Sequence, residues 1–195
     1  KKAGHGGTLD PLATGVLPIA LGEATKTSAY AMDHTKIYHF GIFWGEARTT
    51  DDREGQIMEF SDHRPSERAI RLALTAFTGI IEQTPPRFSA IKVNGQRAYK
   101  IARRDEVVNL KARCVSIDKF SLINVINADR ASFSVTCGKG TYVRSLARDL
   151  AKNLGTVGHV DWLRRIAVGP FDESHTISLD KIESLGHIAA RSRLL

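Results

Sequence analysis

Nine residues in a row, Lys36 to Trp44 (Lys-Ile-Tyr-His-Phe-Gly-Ile-Phe-Trp), constrain this chain more than any other stretch. Aromatic and β-branched side chains fit a pleated, half-buried surface, so the run predicts a strand. A polar turn and a second strand around Gln56 to Phe60 follow, a hairpin-like arrangement. Pro65-Ser66-Glu67 opens an amphipathic helix with Ile70, Leu74 and Phe77 on one face and Gly79 as its stop. After Pro85-Pro86, Phe88 to Val93 reads as extended, Asn94-Gly95 as a turn, and Gln96 to Arg104 as a helix whose Arg97, Lys100 and Arg104 share a face. Strands near Val115 to Val125 and Ala131 to Cys137 lead through Gly138-Lys139-Gly140 into a helix from about Thr141 to Leu154, ended by Gly155. Leu163 to Val168 is predicted as the last strand.

Strands dominate and helices come at irregular intervals, without regular βαβ units or an internal repeat. The expected fold is therefore α+β, a mixed, mainly antiparallel sheet flanked by helices, and 195 residues suffice for one domain over 1–195. No apolar run approaches the roughly 20 residues that a membrane-spanning helix requires. The two cysteines, Cys114 and Cys137, offer neither a disulfide framework nor zinc-site spacing; they read as small buried hydrophobes in a reducing, cytoplasmic setting. A formal charge of +7 points to a polyanionic partner, because Lys and Arg that neutralise phosphates release counterions.

The first 22 residues are dense in Gly and Pro, ahead of a short helix predicted over Ala24 to Met32, so Asp10 falls in a tightly turning loop. Neither the phosphate-loop pattern nor the dinucleotide glycine fingerprint is present, and no cofactor or metal is expected. Taken alone, Asp10-Pro11 is an ordinary turn starter.

Its surroundings say more. The run Gly4-His5-Gly6-Gly7-Thr8-Leu9-Asp10-Pro11-Leu12-Ala13-Thr14-Gly15, continuing through Gly22-Glu23-Ala24-Thr25-Lys26, resembles the signature of the TruB family of pseudouridine synthases. The resemblance extends through Lys36-Ile37-Tyr38, Gln83-Thr84-Pro85-Pro86, Ser89-Ala90-Ile91-Lys92, Cys137-Gly138-Lys139-Gly140-Thr141-Tyr142-Val143-Arg144 and Leu163-Arg164-Arg165. It covers essentially the whole chain, in order. Gly6 stands where the family often has threonine, and Ala47 to Asp52 departs from the more usual Thr-Asp-Thr spacing; neither is expected to touch the chemistry.

The resemblance implies an isomerase that converts the T-loop uridine of tRNA, nucleotide 55, to pseudouridine. Asp10 corresponds to the family's nucleophile and Arg144 to the arginine paired with it. His5 corresponds to a residue that holds the RNA target loop, Tyr38 to the base-stacking tyrosine, and Tyr142 and Leu163 to residues lining the uracil pocket. A guanidinium fork orients both carboxylate oxygens and favours the ionised nucleophile. Alternation would put Tyr142 and Arg144 on one face. Arg97, Lys100 and Arg104 fall in an RNA-gripping insertion at about 88–110. The attack of Asp10 on C1′, its attack on C6, and the removal of a ribose proton to give a glycal all stay open.

The implied partner is the tRNA T-arm, bound by a monomer with no obligatory protein partner. Two rivals are an RNA-guided pseudouridine synthase and a non-catalytic tRNA-binding or folding factor. The family's N-terminal strand with a Lys-Pro motif, and its small C-terminal RNA-binding domain, are expected to lie outside this stretch.

Overall fold

A computed structural model describes residues 2–93, 95–104 and 106–189, with side chains as far as residue 184. The strand predicted at Lys36–Trp44 is β4, which lies inside a seven-stranded sheet. In chain order the elements are β1 (Ala3–His5), β2 (Ala13–Gly15), β3 (Ile19–Leu21), α1 (Ser28–Asp33), β4, β5 (Glu46–Arg48), β6 (Ile57–Phe60), α2 (Glu67–Ala73), β7 (Gly79–Gln83), β8 (Lys92–Val93), β9 (Gln96–Arg97) and α3 (Ala98–Ala102). They continue with β10 (Arg113–Asn127), β11 (Arg130–Cys137), α4 (Val143–Asn153), β12 (Gly158–Val168), β13 (Phe171–Asp172) and α5 (Leu179–Ala189).

The main sheet runs β13-β12-β4-β11-β10-β7, with β2 alongside β12. All its pairings are antiparallel except β2 on β12, where Ala13, Thr14 and Gly15 face Leu163, Arg164 and Arg165. The predicted mixed, mainly antiparallel sheet with flanking helices is what forms. One face carries Phe40, Ile42 and Trp44 of β4 and Phe133 and Val135 of β11. Ile70 of α2 and Leu146, Leu150 and Ala151 of α4 close over it. Ring pairs such as Phe40–Phe133, 5.6 Å apart, interlock this core.

Several sequence expectations are corrected. The strand at Ile57–Phe60 pairs with β5 and not with β4, whose neighbours are β11 and β12; long-range pairing outcompetes the local hairpin. The glycine-rich start contains three-residue strands, too short to show a period. The helix at Ala24–Met32 is a 3₁₀ segment, Gly22–Thr27, followed by α1. Gln96 and Arg97 leave the predicted helix because they pair as β9 with Val93 and Lys92 of β8, so α3 begins only at Ala98. The edge strand β7 begins at the predicted helix stop, Gly79, and α5 follows the last predicted strand. Cys137 is buried, but Cys114 is exposed beside the edge strand, opposite Glu82.

Candidate active site

The loop from Gly7 to Val16 is held by one buried cation. Arg165, 1% exposed on β12, donates from Nε to the carbonyl of Val16 at 2.8 Å and from Nη2 to that of Gly7 at 2.9 Å, with a longer contact from Nη1 to Thr8. Its guanidinium thus ties together the two ends of the segment that carries Asp10. Gly15, at φ 100°, lets the loop lie against β12; a Cβ there would sit 2.1 Å from the Arg165 carbonyl oxygen. Within the loop, the amide of Ala13 donates to the carbonyl of Asp10 at 2.9 Å.

Facing this loop is the first turn of α4. Gln83, 1% exposed, accepts from the Tyr142 amide at 2.8 Å and donates to its carbonyl at 3.1 Å, which fixes the start of the helix. Arg144, 4% exposed, then reaches Asp10 with two parallel bonds, Nε to Oδ2 at 2.8 Å and Nη2 to Oδ1 at 2.9 Å. Its remaining N–H groups meet the carbonyl of Thr50 at 3.0 Å, the carbonyl of Phe88 at 3.1 Å and the carboxylate of Asp52 at 3.6 Å. A guanidinium has five donors; four of them are hydrogen-bonded here, and the Asp52 carboxylate lies at ion-pair distance. The arginine is therefore locked, and Asp10 with it.

Of the two carboxylates on this guanidinium, the Asp52 side chain is 4% exposed and that of Asp10 is 28% exposed. Only Asp10 is open to a substrate. Tyr38 lies on β4 and packs against the core. Burial pushes its phenol up, the neighbouring Arg165 guanidinium pulls it down, and the charge of Asp10 acts with burial. The hydroxyl thus stays protonated. Tyr142 precedes α4 and lies under the Arg113 guanidinium, 5.2 Å from the ring centroid.

Strand alternation does not relate Tyr142 and Arg144: Tyr142 is extended, whereas Arg144 is already in the first helical turn. Leu163 is 5% exposed, a core member opposite Phe40 on β4 and Ala13 on β2. His5 is an exposed residue of β1 whose Nδ1 accepts from the Gly7 amide at 3.3 Å. The structure therefore brings Asp10 and Arg144 into direct contact, with Tyr38 packed against the core and Leu163 beside the loop.

Arg97, Lys100 and Arg104 of the 88–110 segment do not form one helical face. Arg97 donates to the carbonyl of Ala90, Arg104 reaches Gln96 and Glu106, and Lys100 alone of the three lies within α3. The segment Ala47 to Asp52, expected to be remote from the chemistry, supplies Thr50 and Asp52 to Arg144. Sequence reading also passed over Gln83 and Arg165 as individual residues, although both lie inside runs that carry the family resemblance. Among the described residues no cluster of three His, Cys, Asp or Glu side chains is arranged to hold a metal ion.

A family model described as TruB family pseudouridylate synthase (N terminal domain) matches residues 1–143. The chain belongs to the TruB family. A second model, described as tRNA pseudouridylate synthase B C-terminal domain, matches residues 144–193, a stretch that includes all but the first residue of α4 and the whole of β12 in the main sheet. The chain is 57% identical over 194 residues to tRNA pseudouridine synthase B of Rhodospirillum rubrum, covering 100% of this chain and 63% of that protein. The corresponding protein of Agrobacterium fabrum is 54% identical over 195 residues, with 100% of this chain and 62% of that protein covered. The chain thus spans about three-fifths of the length of these relatives. Among solved structures, a chain of a Cbf5–Nop10–Gar1 complex superposes with a TM-score of 0.72 at 26% identity, covering 100% of this chain and 51% of its own length. A chain of an H/ACA RNP bound to a substrate RNA containing 2′-deoxyuridine gives 0.71 at 25% identity, covering 98% of this chain and 47% of its own length. Both of these chains share the fold.

Proposed function

We propose that this chain is the catalytic part of a tRNA pseudouridine synthase that isomerises the T-loop uridine, nucleotide 55, with Asp10 as nucleophile. The observation that carries the reading is an accessible carboxylate held at both oxygens by a buried arginine, in a family of pseudouridylate synthases. In the reaction the bond from ribose C1′ to uracil N1 breaks, the base turns, and C1′ bonds to C5. The C5 proton passes to solvent and N1 takes one up, so the product is an isomer. Asp10 starts this sequence. Arg144 keeps its oxygens aimed, so that little reorientation is required at the moment of reaction.

The base must leave the RNA stack to reach Asp10. In this reading Tyr38 stacks on the extruded uracil, Tyr142 and Leu163 complete its pocket, and His5 holds the RNA loop nearby. Arg97, Lys100 and Arg104 lie in the segment that grips the T-arm. The protein acts as a cytoplasmic monomer without an obligatory protein partner. Relatives at 54–57% identity named tRNA pseudouridine synthase B favour this over a guided enzyme, since the Cbf5-containing assemblies stand at 25–26%.

The test uses RNA with 5-tritiated uridine in a T-loop stem. Asp10→Asn is expected to stop tritium release while leaving RNA binding largely intact; undiminished release would sink the nucleophile assignment. Carbodiimide probing with primer extension on unmodified tRNA reads the position. If an active control gives a stop at nucleotide 55 and this protein gives none, it is a tRNA-binding factor instead.

A further inference from the structure

Helix α4 offers a second arginine to the same turn that backs the first. Residues four apart on a helix lie on one face, and Arg148 follows Arg144 by one turn. Arg144 takes the carbonyl of Thr50 and the carboxylate of Asp52. Between those two residues, Asp51 turns its carboxylate to Arg148, whose Nη1 donates to Oδ2 at 2.9 Å. The pair is largely buried, with side-chain exposures of 19% for Arg148 and 16% for Asp51. Arg148 also donates from Nη2 to the carbonyl of Thr84 at 2.8 Å, where the Ser145 hydroxyl donates too, and from Nε to Asp149 at 2.8 Å.

Asp51 has an unusual backbone. Its φ of 59° is the one positive value for a non-glycine residue among the described residues, a conformation that costs free energy and persists only where its surroundings hold it. Besides Arg148, β12 holds it, since the Val160 amide donates to the Asp51 carbonyl at 3.0 Å and the Arg53 amide donates to the Val160 carbonyl at 3.0 Å; within the turn, the Asp51 amide donates to the Arg48 carbonyl at 3.1 Å and the Glu54 amide to Asp52 Oδ1 at 3.1 Å. The turn therefore hangs between β12 and α4, with Thr50 and Asp52 presented to Arg144 from its middle.

We propose that Asp51 and Arg148 are a positioning pair, which keeps the turn 50–52 seated behind Arg144 and so sets the fork that holds Asp10. This rests on the synthase reading above. Neither residue touches the reacting atoms; both act through Arg144. Loss of the pair lets the turn relax out of its positive-φ conformation, moves the Thr50 carbonyl and the Asp52 carboxylate, and leaves the Arg144 guanidinium with fewer fixed acceptors.

The experiment compares wild type, Asp51→Asn, Arg148→Gln and the double variant in the complete protein, with single-turnover rates at saturating T-loop RNA and RNA affinity by filter binding. Asparagine tolerates positive φ, so Asp51→Asn removes the charge and keeps the turn accessible. Each single variant is expected to lose about tenfold in rate, since small misplacements of catalytic groups are costly, with RNA affinity little changed. The double variant should be no slower than the worse single. A second readout needs no activity: the ¹⁵N guanidinium signal of Arg144, assigned by its loss in Arg144→Lys, should shift and broaden in Asp51→Asn. Wild-type rate and an unmoved Arg144 signal in Asp51→Asn overturn the pair, as do losses that multiply in the double variant. If wild type itself makes no pseudouridine, the synthase reading fails, and the Arg144 signal still decides whether the pair positions that arginine.

Discussion

Both carboxylate oxygens of Asp10 are held by the single guanidinium of Arg144, at 2.9 Å for Oδ1 and 2.8 Å for Oδ2, although 134 residues separate the two in the chain. Such a fork fixes direction as well as charge. The Arg144 side chain is itself 5% exposed, so the aim of Asp10 is set by the protein interior and not by solvent.

Arginine is required there for its shape. Arg144→Lys keeps a positive charge but offers a compact ammonium that cannot serve Asp10, Thr50 and Phe88 together. The single-turnover rate of pseudouridine formation is expected to fall about 10²-fold, the size of loss that a misplaced catalytic group produces. A rate within about threefold of wild type would mean that charge alone suffices.

On the far face of the sheet, Trp162 of β12 lies opposite Gly41 of β4, and a Cβ on Gly41 would come 2.3 Å from the indole Nε1. Gly41→Ala is therefore expected to destabilise the fold by about 1–3 kcal/mol through overpacking. In a Trp162→Ala background the same change should be nearly neutral. Urea denaturation of the four proteins measures the coupling; equal losses in both backgrounds would count against the contact.

Two thiols should behave differently. Burial pushes the Cys137 thiol up to about 11, against the pull of the Thr141 and Lys36 side chains, whereas Cys114 is exposed. Native protein treated with iodoacetamide near pH 8 should carry the label on Cys114 only, and unfolded protein on both, as read by peptide mass mapping. Because the folded value lies above the ordinary 9.0, the neutral thiol is what folding favours. The stability it contributes is complete below about pH 9 and is lost as pH rises through about 11, so Cys137→Ala should flatten the alkaline decline.

The fold was legible where patterns are long. Lys36–Trp44 predicts its own strand to the residue, and the Ser66–Phe77 and Thr141–Leu154 stretches predict their helices within about a turn, because periodicity and caps act locally. The strands of the first 22 residues escape such reading: β2 exists only because β12 lies beside it. Where Arg97 and Arg104 were read as one helical face, a two-residue hairpin and contacts with Ala90, Gln96 and Glu106 drew them apart.

The sequence by itself determined the α+β class and, through an ordered family resemblance, singled out Asp10, Arg144 and Tyr38. What surrounds them was decided by tertiary structure. Asp52, Thr50, Gln83 and Arg165 do their holding through backbone carbonyls and buried ion pairs drawn from distant segments. A sequence shows which side chains are available. Which carbonyl faces which guanidinium depends on the packing of α4 and β12 around the loop, where buried donors must find acceptors or lose the free energy of hydration.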